Sequence, residues 1–347
     1  MNLTYRTKRR LQRAGLIGLT LLLVLILAAF CWVIWLERYV VYTGDGATLK
    51  FDLVEKPGTG QLAQPPFAGE TVPIYVNEGL DAIDFNTALG QISGYYIDGD
   101  TLQAGVAAVR DTVSTLPAGT AVLLEVKSIW GQFNYTTSVS SPTYSNRVDL
   151  EQVDKLISDL NSRNLYAVAV LPAFRDRYFF LINNSNTSCG LAVKGKGYLW
   201  QDDDNCYWFD PSDRDAINWL QQIIEELHKL GFDEVVLTEF RIPNTDRIVF
   251  NENRDEAIKK VAQTLVTNCA TDSFAVSFMA SDSSFPLPEG RTRLYMENVG
   301  PKNVDMVAAQ LNFEDPQAKL VFMSTTNDTR YDAYSVVRPI SMASTTG

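Results

Sequence analysis

Short apolar runs alternate with stretches of helical periodicity across residues 90–340. The runs are rich in Val, Ile, Leu and Ala, as is typical of parallel strands that are buried on both faces. Between them, apolar residues recur every three or four positions, which indicates amphipathic helices. Strands are predicted at 92–97, 121–126, 166–171, 234–240, 274–280, 304–311, 320–324 and 334–340. Helices are predicted at 101–115, 150–164, 213–230 and 254–268, with a weaker one near 289–299.

This alternation predicts an α/β fold, a (β/α)₈ barrel of the TIM type over residues 90–340. A doubly wound open sheet is the alternative. Such a sheet usually carries a glycine-rich turn after its first strand, whereas here the first strand runs into Asp98-Gly99-Asp100. The barrel is therefore the favoured interpretation.

The residues before the barrel indicate a membrane anchor. Residues 14–36 contain no charged residue and would span about 35 Å as a helix, enough to cross a bilayer core. The basic cluster in residues 1–13 keeps the N-terminus cytoplasmic by the positive-inside rule. A cleaved signal peptide is the alternative, but no good cleavage site follows the apolar run. The C-terminal domain is therefore expected to be extracytoplasmic, on a single-pass protein of the cell membrane.

The rest of the chain divides by composition. Residues 37–89 are rich in Gly and Pro and predict a linker, with short strands at 48–54 and 72–76. Residues 341–347 are small and polar and predict a disordered tail.

The charge balance and the single histidine exclude several classes of function. The chain carries 30 Lys and Arg against 41 Asp and Glu, a net charge of −11, so nucleic acid is not an expected partner. His228 is the one histidine, which excludes multi-histidine metal sites. No cofactor or metal is expected, and catalysis by carboxyl groups remains open.

Acidic and aromatic residues at the predicted strand ends suit glycoside hydrolysis, which needs two carboxyl groups beside a sugar-binding surface. Glu239, inside an apolar strand, is the first catalytic candidate and Glu125 the second. A structural ion pair of Glu239 with Arg241 or Lys127 is the alternative. Further substrate-binding candidates are Lys127, Arg241, Tyr96, Trp130 and Trp208.

Four segments within residues 122–243 form a distinctive set: Leu124-Glu125-Val126-Lys127, Ala173-Phe174-Arg175-Asp176, Tyr207-Trp208-Phe209-Asp210-Pro211 and Leu230-Gly231-Phe232-Asp233-Glu234, the last running through to Arg241-Ile242-Pro243. With these segments, residues 122–243 resemble a family of bacterial domains of unknown function described as glycoside hydrolases of TIM-barrel type. The resemblance implies a carbohydrate ligand, and it also places Asp210 near the ligand.

The end of the fourth strand departs from the family. The family typically has Asp-Tyr-Ile-Arg-Phe-Pro there, so its Asp corresponds to Thr238 and its Tyr to Glu239. Side chains alternate along a strand, and Thr238 and Glu239 should face opposite ways unless a bulge intervenes. Two hypotheses follow. The chain is an anchored glycoside hydrolase acting on an envelope or extracellular polysaccharide, or it is an inactive barrel that binds glycan or scaffolds the envelope.

Two cysteines flank a polar loop of the barrel. Cys189 and Cys206 have 16 residues between them. A disulfide in an oxidising compartment would stabilise the fold by about 3 kcal/mol in the chain-entropy model. The alternative is two unpaired thiols.

Overall fold

The computed structural model describes residues 40–43, 46–49, 89–183, 187–281 and 283–341. The chain divides into two units, Met1–Glu78 and Gly79–Gly347. In the first unit, the strands Val40–Thr43 and Gly46–Leu49 pair in antiparallel fashion. The predicted anchor at 14–36, the predicted strand at 72–76 and the tail beyond Ser341 lie outside the described residues. Across the described ranges, no helix is both long and apolar enough to cross a bilayer.

Eight parallel strands close into a barrel in the second unit. Each strand pairs with the next along the chain, and the eighth pairs with the first. The predicted (β/α)₈ barrel is confirmed, because a doubly wound sheet would have two open edges. The strands are β1 Ser93–Ile97, β2 Ala121–Glu125, β3 Tyr166–Pro172, β4 Glu234–Thr238, β5 Ala275–Ala280, β6 Leu294–Met296, β7 Leu320–Met323 and β8 Ser335–Pro339.

The helices follow the strands and pack their apolar faces against the barrel. Five of them begin at an Asp or Asn whose side chain accepts a hydrogen bond from a first-turn N–H: Asp98, Asp149, Asp213, Asn253 and Asp315. The helices are α1 Gly99–Val113, α2 Leu150–Ser162, α3 Tyr178–Ile182, α4 Arg214–Lys229, α5 Arg254–Cys269, α6 Val304–Leu311 and α7 Pro316–Lys319. Single 3₁₀ turns occur at Thr187–Cys189, Pro301–Asn303 and Thr329–Tyr331.

The sixth strand is not where the sequence analysis predicted it. Residues 304–311 form helix α6, and β6 lies within the segment predicted to be a weak helix. The buried residues of α6 are Val304, Val307 and Ala308, which have the spacing of one helix face. The strand prediction treated the segment as one apolar run and overlooked this spacing. The residue that follows β6 at the carboxyl-terminal rim of the barrel is therefore Glu297.

A buried ion pair closes the amino-terminal end of the barrel. Arg293, just before β6, places Nη1 2.5 Å from Glu234 Oε2 at the start of β4 and donates from the same nitrogen to the Tyr166 hydroxyl. Its other nitrogens donate to the carbonyls of Ala318 and Gly90. One side chain thus links residues at the starts of several strands at this end of the barrel.

Two irregular segments rise at the carboxyl ends of the strands. The loop after β2 contains the parallel strand pair Gln132–Phe133 and Thr143–Tyr144. The longer insertion after β3 contains α3 and the antiparallel pair Arg175–Asp176 and Tyr207–Trp208. These segments wall the space above the barrel.

Candidate active site

A cavity of about 740 Å³ lies at the carboxyl ends of the strands. Its polar lining includes residues from four strand ends: Tyr96 in β1, Glu125 in β2, Glu239 after β4 and Glu297 after β6. In barrels of this type the carboxyl-terminal face carries the functional groups. Three carboxyl groups from separate strands therefore face one space.

Glu239 has a left-handed backbone conformation, with φ of 48°. The strand β4 ends at Thr238, and the turn at Glu239 breaks the alternation that would send the two side chains to opposite faces. Both residues line the cavity. A left-handed conformation is uncommon for a non-glycine residue and is often found at functional sites.

Two arginines hold the Glu239 carboxylate. Arg241 places Nη2 3.0 Å and Nε 3.1 Å from Oε2, and Arg175 places Nη1 3.7 Å from Oε1. The Glu239 side chain is 23% exposed and the Arg241 side chain 58% exposed. The ion pair considered with Arg241 is thus present, and it leaves Glu239 at the cavity wall.

Glu297 is a site residue that the sequence analysis missed. It is exposed toward solvent and lines the same cavity as Glu239. Partial burial and then the negative charge of Glu239 raise the pKa of the Glu297 carboxyl. The available signal was an acid directly after the apolar triplet Leu294–Met296, which is too short to stand out as a strand.

Glu125 is fixed by hydrogen bonds at the end of β2. Its Oε2 accepts from the Gly99 backbone N–H at 2.9 Å and from the Tyr96 hydroxyl at 3.3 Å. Burial raises the pKa of the Glu125 carboxyl, and these two hydrogen bonds work in the opposite direction. Burial and the nearby Glu125 charge raise the pKa of Tyr96. The hydrogen-bonded side chains of Glu125 and Tyr96 form a polar part of the cavity wall.

Lys127 is among the residues that line the cavity, but it is held in a buried ion pair. Its side chain is fully buried, with Nζ 2.6 Å from Asp176 Oδ2 and 4.9 Å from the centre of the Trp219 ring. The Lys127–Asp176 pair joins the β2 loop to the β3 insertion. Since the ammonium group is enclosed, the arrangement favours support of the cavity wall over direct contact with a ligand.

The other predicted substrate contacts, Trp130, Trp208 and Asp210, are not among the residues that line this cavity. Trp208 is buried, donates from Nε1 to Asp202, and has the Arg241 guanidinium 4.8 Å from its ring centre. Trp130 is half-buried beneath Arg177. Asp210 accepts hydrogen bonds from the backbone and hydroxyl of Ser212 before α4. None of the three presents a free face to the cavity.

The cavity lining contains neither cysteine nor histidine. In the part of the chain that the structure describes, no group of three or more His, Cys, Asp or Glu side chains is arranged to hold a metal ion. Cys189 and Cys206 are both buried outside the cavity, and their disulfide stays a prediction. The chemistry available to the cavity is that of carboxyl, guanidinium, hydroxyl and amide groups.

Solved structures with similar folds include carbohydrate-active enzymes. An inactive mutant of a family 20 exo-β-N-acetylglucosaminidase from Vibrio harveyi is 9% identical, with a TM-score of 0.50 over 72% of this chain and 50% of that chain. The glycoside hydrolase domain of PelA from Pseudomonas aeruginosa is 13% identical, with a TM-score of 0.42 over 73% and 96%. A hypothetical protein from Ruminiclostridium thermocellum is 19% identical, with a TM-score of 0.43 over 53% and 96%. The likeness to the Vibrio enzyme supports the barrel fold and nothing finer.

Sequence comparison identifies the family. Among curated proteins, no match was found. A family model described as "Putative glycosyl hydrolase domain" matches residues 102–277, just over half of the chain, from α1 to β5. The match includes Glu125 and Glu239, together with the insertion that walls the cavity. The chain therefore belongs to this glycosyl hydrolase domain family.

Proposed function

We propose that the protein is a glycoside hydrolase that cleaves an envelope or extracellular polysaccharide with Glu239 and Glu297. The observation that carries the proposal is the left-handed backbone of Glu239, which brings its carboxylate to a cavity that Glu297 also lines. Glycoside hydrolysis requires two carboxyl groups at the scissile bond, one to protonate the leaving oxygen and one to act as nucleophile or base.

The environments of the two groups suit different roles. The raised pKa of Glu297 keeps its proton at higher pH, so Glu297 donates a proton to the glycosidic oxygen. Glu239 is ion-paired with Arg241 and attacks the anomeric carbon or activates a water molecule. A cavity in which two carboxyl groups differ in environment is a recurring way to assign acid and base.

The neighbouring groups position the sugar. Glu125 uses Oε2 for its hydrogen bonds to Gly99 and Tyr96, which leaves Oε1 to accept from a sugar hydroxyl. Arg241 is exposed and has donors beyond those that contact Glu239. Both residues therefore bind substrate beside the reacting carboxyl groups.

The site of action follows from residues 1–36. A basic cluster followed by an uncharged apolar segment supports an N-terminal anchor with the barrel outside the cytoplasm. The substrate reached from there is a polysaccharide of the cell envelope or its surroundings.

A glycan-binding barrel without catalysis is the second candidate function. Thr238 occupies the position at which the resembling family carries Asp, and this observation favours the second candidate. In that case Glu239 would serve through its ion pairs with Arg241 and Arg175.

Hydrolysis of a panel of envelope polysaccharides separates the two functions. For the hydrolase, Glu239→Gln lowers turnover by at least about 10²-fold at unchanged melting temperature. Glu252→Gln, an exposed change outside the cavity, is the matched control. Glycan binding without release of reducing ends by the wild type would favour the binding function. Full activity per folded molecule in Glu239→Gln would end the catalytic assignment.

A further inference from the structure

A second cavity, of about 760 Å³, adjoins the first. It lies between the insertion after β3 and the loop after β4, and it shares Glu239, Arg241 and Asn244 with the first cavity. Its own lining includes Asp246 and Arg247. The two cavities therefore meet at the reacting carboxylate.

Contacts within the insertion fix the wall of the second cavity. Arg175, with a side chain only 7% exposed, places Nε 2.7 Å from Asp202 and Nη2 2.5 Å from Asp204. Its remaining nitrogen, Nη1, lies 3.7 Å from Glu239 Oε1. Asp202 also accepts from Trp208 Nε1. The same guanidinium thus ties the cavity wall to the catalytic carboxylate.

An enzyme that removes terminal sugars places its reacting carboxyl group in a pocket that closes on one side. Here Glu239 lines two adjoining cavities. Each cavity alone falls in the volume range of a complete small-molecule site, roughly 300–1,000 Å³. A ligand that fills both must extend well beyond one sugar.

We propose that the two cavities form one substrate cleft, so that the enzyme binds an oligosaccharide segment on both sides of Glu239 and cleaves polysaccharide internally. The inference rests on the proposed hydrolase function. In the reaction, the bond between the anomeric carbon and the glycosidic oxygen breaks. Water supplies a hydroxyl to the carbon, and a proton goes to the departing oxygen.

The exposed groups of the second cavity suit a hydroxyl-rich ligand. Asp246 and Arg247 are exposed side chains on the loop after β4, and Asn244 adds an amide. Carboxylate, guanidinium and amide groups exchange hydrogen bonds with sugar hydroxyls in both directions. The second cavity therefore holds sugar units on one side of the cleaved bond.

The test uses reducing-end-labelled ladders of cello-, malto- and chito-oligosaccharides, from disaccharide to octasaccharide, with the full chain. Cleavage products are resolved by length, and binding of each ladder member is measured by fluorescence polarisation. Internal cleavage that begins at a minimum length, and affinity that rises with length, are the expected results.

Asp246→Ala/Arg247→Ala should reduce kcat/KM and affinity for the long oligosaccharides by about tenfold, the effect of losing a hydrogen bond to a charged group. Activity and affinity for the shortest bound member should stay within about twofold. Glu252→Ala/Lys259→Ala, which removes one acid and one base from exposed positions outside both cavities, is the matched control and should match wild type.

Release of single sugars from one end would overturn the inference and leave the hydrolase function intact. Equal losses on short and long members in the double variant would also overturn it. Length-dependent binding that is sensitive to the double variant, without cleavage of any ladder, would support the two-sided cleft and refute hydrolysis. Absence of both binding and cleavage would refute both proposals.

Discussion

Glu239 combines a left-handed backbone with a carboxylate that two arginines hold. A non-glycine residue in this conformation costs roughly 1–2 kcal/mol. That cost persists where surrounding contacts impose it, and such residues cluster at functional sites. The backbone conformation of Glu239 therefore lowers folding stability while directing the Glu239 side chain.

Comparing Glu239→Gly with Glu239→Gln isolates the backbone contribution. Both changes remove the carboxylate and its ion pairs, whereas only glycine adopts a φ of 48° without steric cost. The glycine variant should exceed the glutamine variant in free energy of unfolding by about 1 kcal/mol, and both should be inactive. Urea denaturation measures the difference. A glycine variant less stable than the glutamine variant would argue against strain at this position.

The raised pKa of Glu297 predicts an alkaline limb in the pH profile of activity. A proton donor loses its proton as pH rises through its pKa, so wild-type kcat should fall there. Glu297→Gln should lower kcat by about 10²–10⁴-fold on polysaccharide and lack that limb. Activity on an aryl glycoside, whose leaving group needs less protonation, should fall less.

The matched control for Glu297 is Glu314→Gln, an exposed acid outside the described cavities. It should leave both the rate and the pH profile of the wild type. Retention of the alkaline limb in Glu297→Gln would assign the proton donor to another group.

Sequence reasoning located part of the site and could not locate the rest. Glu125, Glu239, Tyr96 and Arg241 were selected at strand ends, and all four line the cavity, while their chemical roles stay predictions. The direction of Glu239 depends on a single backbone φ that strand alternation does not predict. Glu297 was missed because its strand was placed elsewhere.

At the scale of elements, the length of a strand determined whether the sequence pattern could predict it. The strands β3 and β5 are long apolar runs and were predicted near their observed bounds. The strand β6 has three residues, fewer than the number needed to distinguish a period of two from one of 3.6. In α6 the spacing of Val304, Val307 and Ala308 carried the helical signal.

The ion pair of Arg293 and Glu234 predicts a large stability effect. Arg293→Met leaves the buried Glu234 carboxylate unpaired and should cost about 3–5 kcal/mol of unfolding free energy. Adding Glu234→Gln should restore part of that loss. Arg330→Met breaks an exposed, solvent-screened pair with Asp328 and should cost far less unfolding free energy than Arg293→Met. Equal costs for the buried and exposed pairs, by urea denaturation, would contradict the expectation.

At the scale of the whole molecule, the alternation of strands and helices was enough to predict the closed barrel. The helices cover the outer face of the parallel sheet, and closure of the eight strands buries the inner face. The insertion after β3 was visible as a long segment without periodicity. Its folding into a cavity wall depends on contacts such as those of Arg175, which no local pattern encodes.

The topology of the full chain is testable without knowing the substrate. The basic cluster before the apolar segment predicts that residues 40–347 lie outside the cytoplasm. Protease added to wall-stripped protoplasts should digest the barrel, and a cytoplasmic marker protein should stay intact. Digestion of the barrel that begins only after lysis would refute the topology.

The turn at Glu239 also bears on how such a site changes over evolutionary time. Because Thr238 and Glu239 reach the same cavity, an acid at either position serves the same space. A lineage that gained the acid at position 239 before losing an acid at position 238 would keep an acid at this cavity throughout. An acidic position can thus move by one residue in the sequence and still line the same cavity, although a sequence alignment would show the acid as lost from its original position.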